Sequence, residues 1–488
     1  MLFNSYEFML FLPIVWAIYF ALNHLQFHKT AQCALIVASF VFYGYADHKL
    51  CLLLAFSISV NYLLHLGLMR GNTAAILRKV FFIAGIAVNL GLLFYFKYFD
   101  FTLENLNRIF KMGFVLRNIA LPLGISFYTF QQLSFIIDSY QRKMEKCRFL
   151  DYCLFVSFFP QLVAGPIVLQ QEIIPQFHDP EKRKVNYDNM ISGMEYFIIG
   201  FAKKILVADS FARICDAGYE NLYQLNSISA ILTILSFTLQ IYFDFSGYCD
   251  MALGLGRMFN IIIPINFDSP YKAVNISDFW KRWHMTLTRF LTTYLYIPLG
   301  GNRKGTVTTY RNILIVFTLS GLWHGAAWTY VLWGMMHGAA MVFYRACRKW
   351  IDRLPKWLLW IGTFVFLNFA WTFFRADFFR QPWHLFSQVI RGGTGEIHAA
   401  MQAALCDNAI WKLTLERFAG ASAVQFCCQL AVILWFILWI AVCIKMPSSH
   451  ELVAKRERKI IWFILLSILF TWSFMGLSQV SKFIYFNF

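Results

Sequence analysis

The sequence predicts an all-α protein that crosses a membrane many times. Three observations carry that expectation. Hydrophobic residues fill 59% of the 488 positions and charged residues only 14%, whereas a soluble domain carries about 25% charged residues. Mean hydropathy is +0.54. Apolar stretches near the ~20 residues that a spanning helix needs recur along the whole chain. A surface so poor in polar groups needs lipid as its solvent. This excludes a soluble enzyme, a disordered chain, a coiled coil and a secreted disulfide scaffold.

Taken in order, the candidate spans are roughly 8–24, 31–46, 50–68, 80–97, 119–137, 152–169, 190–208, 229–246, 312–344, 357–374, 428–446 and 460–477. They give eleven to thirteen crossings. No Lys or Arg precedes Lys29, so Met1–His24 lacks the basic start of a secretory signal and reads as a retained first span. The net charge is +17, with basic connectors at Arg142–Arg148, Lys182–Lys184, Arg345–Lys349 and Lys455–Lys459. Short basic loops fit the cytoplasmic bias of membrane proteins better than a nucleic-acid surface. Segment 378–426 has mixed polarity and reads as a surface loop with short amphipathic helices. No polar linker and no fixed-period repeat divides the chain. One membrane unit, 1–488, is expected, with its motif-bearing core at 160–345. The 11 cysteines form no C-x-x-C pair, so neither a metal site nor a disulfide framework is expected.

Two regions depart from plain spans. Asn312–Tyr344 runs 33 residues without Lys, Arg, Asp or Glu. As one helix it would be ~50 Å long, against ~30 Å of hydrocarbon. It must break or tilt, and the natural break is Ser320-Gly-Leu-Trp-His324-Gly325. Irregular backbone at membrane depth needs protein or a water-filled cavity around it, which places His324 in an internal cavity. The second region, Asp278–Gly301, reads as one amphipathic interfacial helix, capped by Asp278 or Ser277 and ended by Pro298 and Gly300. Trp280, Trp283, His284, Leu287, Leu291 and Tyr294 share its apolar face, opposite Arg282 and Arg289.

A histidine inside a membrane protein is a functional candidate, because ionisable groups there cost free energy. His324 is the first such candidate. His284 points inward but on its own reads as structural. His337 would not share a face with His324 on a continuous helix, and also reads as structural. Asp244 and Asp250 sit beside an apolar run. Buried carboxylates need partners, so the two either pair with Arg257, Lys281 or Arg282, mark a helix end at Gly247, or line a site. Pro160 and Pro166 interrupt the chain around Leu162-Val-Ala-Gly-Pro-Ile167. The loop from Pro298 lacks the lysine of a P-loop. It is either a positive-inside connector or a contact for a phosphorylated ligand. There is no G-x-S-x-G, no H-E-x-x-H, and no histidine followed five residues later by aspartate.

Together five motifs resemble the membrane-bound O-acyltransferase family, in its bacterial cell-envelope branch. They are Phe279-Trp-Lys-Arg-Trp-His284, Tyr294-Leu-Tyr-Ile-Pro-Leu-Gly-Gly-Asn-Arg303, Ser320-Gly-Leu-Trp-His324-Gly-Ala-Ala-Trp328, Leu162–Ile167 and Tyr242-Phe-Asp-Phe-Ser-Gly-Tyr248. Leu2-Phe-Asn-Ser-Tyr-Glu-Phe8 and Phe373-Phe-Arg-Ala376 extend the similarity over most of the chain. The resemblance implies a ring of tilted helices around a thinned centre with a central funnel. It implies His324 as the catalytic histidine and His284 as the second active-site position, with Trp323, Trp328, Asn302, Trp280 and Asp244 contacting substrate. It further implies a multi-pass protein of the bacterial inner membrane that binds no resident cofactor or metal. The acyl group, most commonly acetyl, comes from a cytoplasmic thioester, acetyl-CoA. It goes to a hydroxyl of exopolysaccharide or peptidoglycan, with an esterase-like envelope partner completing delivery. Imidazole suits deprotonation of an attacking hydroxyl. His284 is expected to orient the donor or stabilise the oxyanion. Two other classes compete. A transporter or flippase of a lipid-linked precursor would show matching halves, and a scaffold would tolerate loss of both histidines.

Overall fold

The computed structural model describes residues 1–45, 47–71, 73–407, 410–455, 459–479 and 483–484, and all regular structure among them is helical. The basic connector Lys455–Lys459 falls largely outside the described residues. The first four helices are α1 (Tyr6–His24), α2 (His28–Gly44), α3 (Lys49–Met69) and α4 (Ala75–Phe110). Two shorter ones follow, α5 (Ile125–Tyr140) and α6 (Phe149–Ser157), then a single turn at Phe159–Leu162 and α7 (Gln170–His178). Tyr187–Ala202, a π turn at Lys203–Ala208 and Asp209–Glu220 form one rod, α8. It packs along α9 (Ser227–Met258). Next come α10 (Ile276–Arg282), α11 (Met285–Leu291, continued by a π turn to Tyr296), α12 (Thr306–His324), α13 (Trp328–Ile351) and α14 (Lys356–Arg375). The chain finishes with α15 (Arg380–Arg391), α16 (Ala399–Cys406), α17 (Ile410–Lys445, kinked at Gly420), α18 (Ser449–Lys455) and α19 (Ile460–Met475).

Several starts carry a side-chain cap, and the helix expected from Asp278 begins earlier, at Ile276, with Asn275 as its cap in place of Ser277 or Asp278. Ser5, Asn186, Asn226 and Asn275 each accept a backbone N–H from the residue three positions on, satisfying a donor that the helix itself leaves unpaired.

Among the described residues six helices are long and apolar enough to cross a membrane: Tyr6–His24, Lys49–Met69, Ala75–Phe110, Ser227–Met258, Lys356–Arg375 and Gly420–Lys445. Only α9 is a central pillar, 78% buried over its apolar window, while the other five are 17–39% buried and face outward. Two expected spans are corrected. Segment 152–169 is nine helical residues and one turn, because the prolines at 160 and 166 deny it a ladder. Segment 119–137 is the 16-residue α5, buried over most of its length. The apparent span 80–97 is part of the longer α4. Segment 378–426 holds α15, α16 and the beginning of α17. Pro382 and Leu385 of α15 are buried, whereas Trp383 and Ile390 are exposed.

The α8–α9 seam brings backbones into contact. A Cβ on Gly200 would lie 2.5 Å from the Gly247 oxygen, so only a small residue fits. This closeness sets Lys203 and Lys204 against Asp250 and Asp244, both at 2.7 Å.

Candidate active site

The region 306–351 is an antiparallel hairpin. α12 ends at His324, residues 325–327 are extended, and α13 returns from Trp328. Gly321 makes the fold-back tight. A Cβ there would meet the Tyr330 oxygen at 2.2 Å and Gly334 Cα at 3.0 Å. His324 thus becomes the last residue of a helix whose end is turned into the protein.

The expected helix over Asp278–Gly301 is not continuous. It breaks at Trp283-His284, and His284 adopts left-handed φ 45°, ψ 52°. The physical cause is the neighbouring strand-like segment around Asn266. Met285 N–H donates to the Asn266 backbone oxygen at 3.0 Å, and Asp268 N–H donates to the Arg282 oxygen at 3.0 Å. Thr286 donates both its N–H (3.1 Å) and its hydroxyl (3.0 Å) to Asn266 Oδ1. Backbone groups that a helix would use are bound sideways instead. Such a conformation at a non-glycine residue costs on the order of 1–3 kcal/mol and tends to be kept at functional sites.

These two breaks bring His284 and His324 together with ring centroids 6.4 Å apart. Both are buried, at 0% and 2% exposure. Trp323, Trp333 and Phe374 pack edge-on around His324 at 4.9, 5.2 and 5.2 Å. Phe245 meets His284 edge-on at 4.8 Å. Asn266 also sets the tautomer of His284. Its Oδ1 is fixed as an acceptor by Thr286 N–H, and its Nδ2 donates to Cys249 Sγ at 3.3 Å. His284 Nδ1 lies 3.2 Å from that oxygen and so carries the proton, which leaves the lone pair of the neutral ring on Nε2.

The other expected residues divide. Trp323 is buried beside both rings, 6.1 Å from His284 and 4.9 Å from His324. Trp280 is buried and donates Nε1–H to His337 Nδ1 at 3.2 Å. His337 itself is 4.6 Å from Trp333, so it belongs to the surroundings of His324. The continuous-helix phase that set it apart does not survive the break. Trp328 is 51% exposed and donates to Asn105 Oδ1 at 2.8 Å, outside the histidine pair. Asn302 is exposed and accepts from the Tyr296 hydroxyl. Asp244 is held in an ion pair. It is buried against Lys204, which also pairs with Asp209 at 2.7 Å, and its other oxygen accepts from Ile484 N–H at 2.9 Å. None of the three cations expected for Asp244 is its partner. Arg282 pairs with Asp278 at 2.9 Å, and the guanidinium of Arg257 sits over the Tyr196 ring.

A cavity of about 220 Å³ lies beside the pair, lined by Trp280, Leu287, Thr288, Tyr296, Asn302, Phe317, Ser320 and Arg345 among others. Ser320 is one helical turn before His324, and Trp280 is four residues before His284. Neither His284 nor His324 is among the cavity's lining residues. Trp280 lines the cavity, its ring lies 6.0 Å from that of Trp333, and the Trp333 ring lies 5.2 Å from that of His324. Aromatic side chains have filled the helix break. Sequence reasoning missed Asn266, since no spacing links it to position 284. Among the described residues no three His, Cys, Asp or Glu side chains cluster as metal donors.

Residues 93–379 match the model of the membrane-bound O-acyltransferase family, and the chain belongs to that family. It is a multi-pass membrane O-acyltransferase. It is 40% identical to a peptidoglycan O-acetyltransferase of Helicobacter pylori over 100% of this chain and 98% of that one. It is 36% identical to a probable alginate O-acetylase of Pseudomonas aeruginosa, over 85% of this chain and 80% of the relative. A teichoic acid D-alanyltransferase of Bacillus subtilis is 26% identical over 55% of this chain and 71% of its own.

Proposed function

We propose that this enzyme O-acetylates an envelope polysaccharide, peptidoglycan first among the candidates, from the bacterial cytoplasmic membrane. The observation that carries this reading is the meeting of His284 and His324, from two separate helix breaks, at 6.4 Å. Similarity across the full length to a peptidoglycan O-acetyltransferase supports the acceptor.

The donor is a thioester, acetyl-CoA. The acceptor hydroxyl oxygen attacks its carbonyl carbon while His324 takes the hydroxyl proton. The C–O bond forms, the C–S bond breaks, and the thiolate leaves with the proton held by His324. His284 presents an acceptor nitrogen in its neutral state, and since the one proton of the attacking hydroxyl goes to His324, His284 orients the acceptor through a neighbouring hydroxyl or amide N–H. Oxyanion stabilisation by His284 would need a proton on Nε2, against the tautomer set by Asn266.

Charge supplies the sidedness. Arg78 donates to the Tyr140 oxygen, Gln171 to the Lys143 oxygen, and Asn260 to the Lys182 and Lys184 oxygens. Tyr294 bonds Asp138 at 2.9 Å, which ties the end of α11, and the cavity with Arg345, to the same face. That face is rich in Lys and Arg and is assigned to the cytoplasm. Arg345 then suits a donor phosphate. The N-terminus lies at the opposite face, because Tyr19 and Phe20, in the last turns of α1, pack on Phe259 just beyond the end of α9. The acceptor, handed on with an esterase-like envelope partner, meets the protein there. The test is mass analysis of envelope glycan from wild type and from a folded His324→Ala variant. Unchanged O-acetylation in the variant refutes the reading.

A further inference from the structure

α4 is one rod, yet its hydrogen-bond ladder slips to π spacing at Phe94–Tyr98. A π turn of this kind inserts a residue and often marks a functional site. Here it serves the end of α12. The last carbonyls of a helix have no partner within it, and the extended Gly325 makes no capping bond. The Tyr98 hydroxyl donates to the Leu322 oxygen at 3.0 Å. Lys97 Nζ donates to the Trp323 oxygen and, at 3.3 Å, to the His324 oxygen. The same ammonium donates to Ser126 Oγ at 3.2 Å and lies 5.7 Å from the Trp323 ring centre. Two adjacent residues therefore hold the three consecutive carbonyls that end at His324.

Among the described residues no carboxylate pairs with Lys97. Its charge is met by carbonyl oxygens, by the negative end of the α12 dipole and by an indole face. A cation placed in a span without a counter-ion is costly. An aliphatic side chain would fill the same space more cheaply if only packing were needed. We infer that Lys97, with Tyr98 beside it, is a positioning residue for acyl transfer. The pair clamps the backbone of Trp323 and His324 and so fixes where the His324 ring points. This rests on the reading of His324 as the proton acceptor.

The test uses inverted membrane vesicles of a producing strain, with radiolabelled acetyl-CoA as probe. Initial rates of ester-linked label entering envelope glycan are measured against donor concentration, normalised to enzyme amount. Lys97→Met should keep KM within about twofold and lose about ten- to a hundredfold in kcat, the scale of a 1 Å misplacement. Lys97→Arg, which retains a cation and donors, should recover most of that loss. Tyr98→Phe should lower kcat by a smaller factor at unchanged KM. Wild-type kcat in Lys97→Met, or a loss confined to KM, overturns the inference. If Lys97→Met fails to accumulate, Tyr98→Phe decides, and wild-type kinetics there overturns it. His324→Ala separates the two claims. Label incorporation in that variant sinks the base assignment itself, whereas an inactive His324→Ala beside fully active Lys97→Met and Tyr98→Phe sinks only the clamp.

Discussion

His284 and Asn266 form a unit that decides what the second histidine offers a substrate. Asn266 Oδ1 takes three hydrogen bonds, from His284 and from both donors of Thr286. Asn266→Ala should cost about 1–3 kcal/mol of stability by leaving buried donors unmet, read as a lower melting temperature in detergent. It should also free the tautomer of His284 and lower transfer. Wild-type transfer in a folded Asn266→Ala protein would show that the tautomer is irrelevant. At this scale the sequence was partly legible. His324 stood out because two glycines and an over-long apolar run surround it. His284 gained weight only from its motif. Asn266 and Lys97 carried no signal, because their roles depend on contacts with residues 18 and more than 200 positions away. The partner of Asp244, Lys204, lies forty residues earlier and was not among the cations that its sequence context suggested.

At the scale of elements, the two helix breaks have different origins. The α12–α13 break follows from length, since a 33-residue apolar run outlasts the hydrocarbon. It was legible for that reason. The α10–α11 break follows from a tertiary competitor for backbone hydrogen bonds, and apolar periodicity over 278–294 gave no warning of it. The short α5 and α6 were overestimated for a related reason. A fully buried helix is as apolar as a spanning one, and hydropathy alone does not separate them. The hairpin at Gly321 is testable. Gly321→Ala places a methyl group against the Tyr330 backbone oxygen, and should destabilise the protein by about 1–3 kcal/mol through overpacking. Because that strain falls three residues before His324, transfer should drop more than protein level. Equal losses in the two would make the crossing a purely structural feature.

Over the whole molecule, a charged core sits beside the central pillar α9. Lys204 is 1% exposed and bridges Asp209 and Asp244. Lys204→Met leaves two buried carboxylates without their cation. It should cost about 3–5 kcal/mol, seen as loss of folded protein in detergent extracts. Normal yield and melting would remove the triad from the account of stability. The basic face fixes a further outcome. An epitope inserted at Gly393, on the loop between α15 and α16, should be reached by antibody outside intact spheroplasts. One inserted at Lys182 should be reached only after permeabilisation. The reverse pattern would invert the proposed entry of the donor. The most direct test of the central claim is the O-acetyl ester content of the envelope glycan, released by mild base and quantified at matched, folded enzyme levels. His324→Ala should lose about 100- to 10,000-fold in transfer, reducing ester content to that of a strain without the enzyme. Ester content equal to wild type would contradict the account.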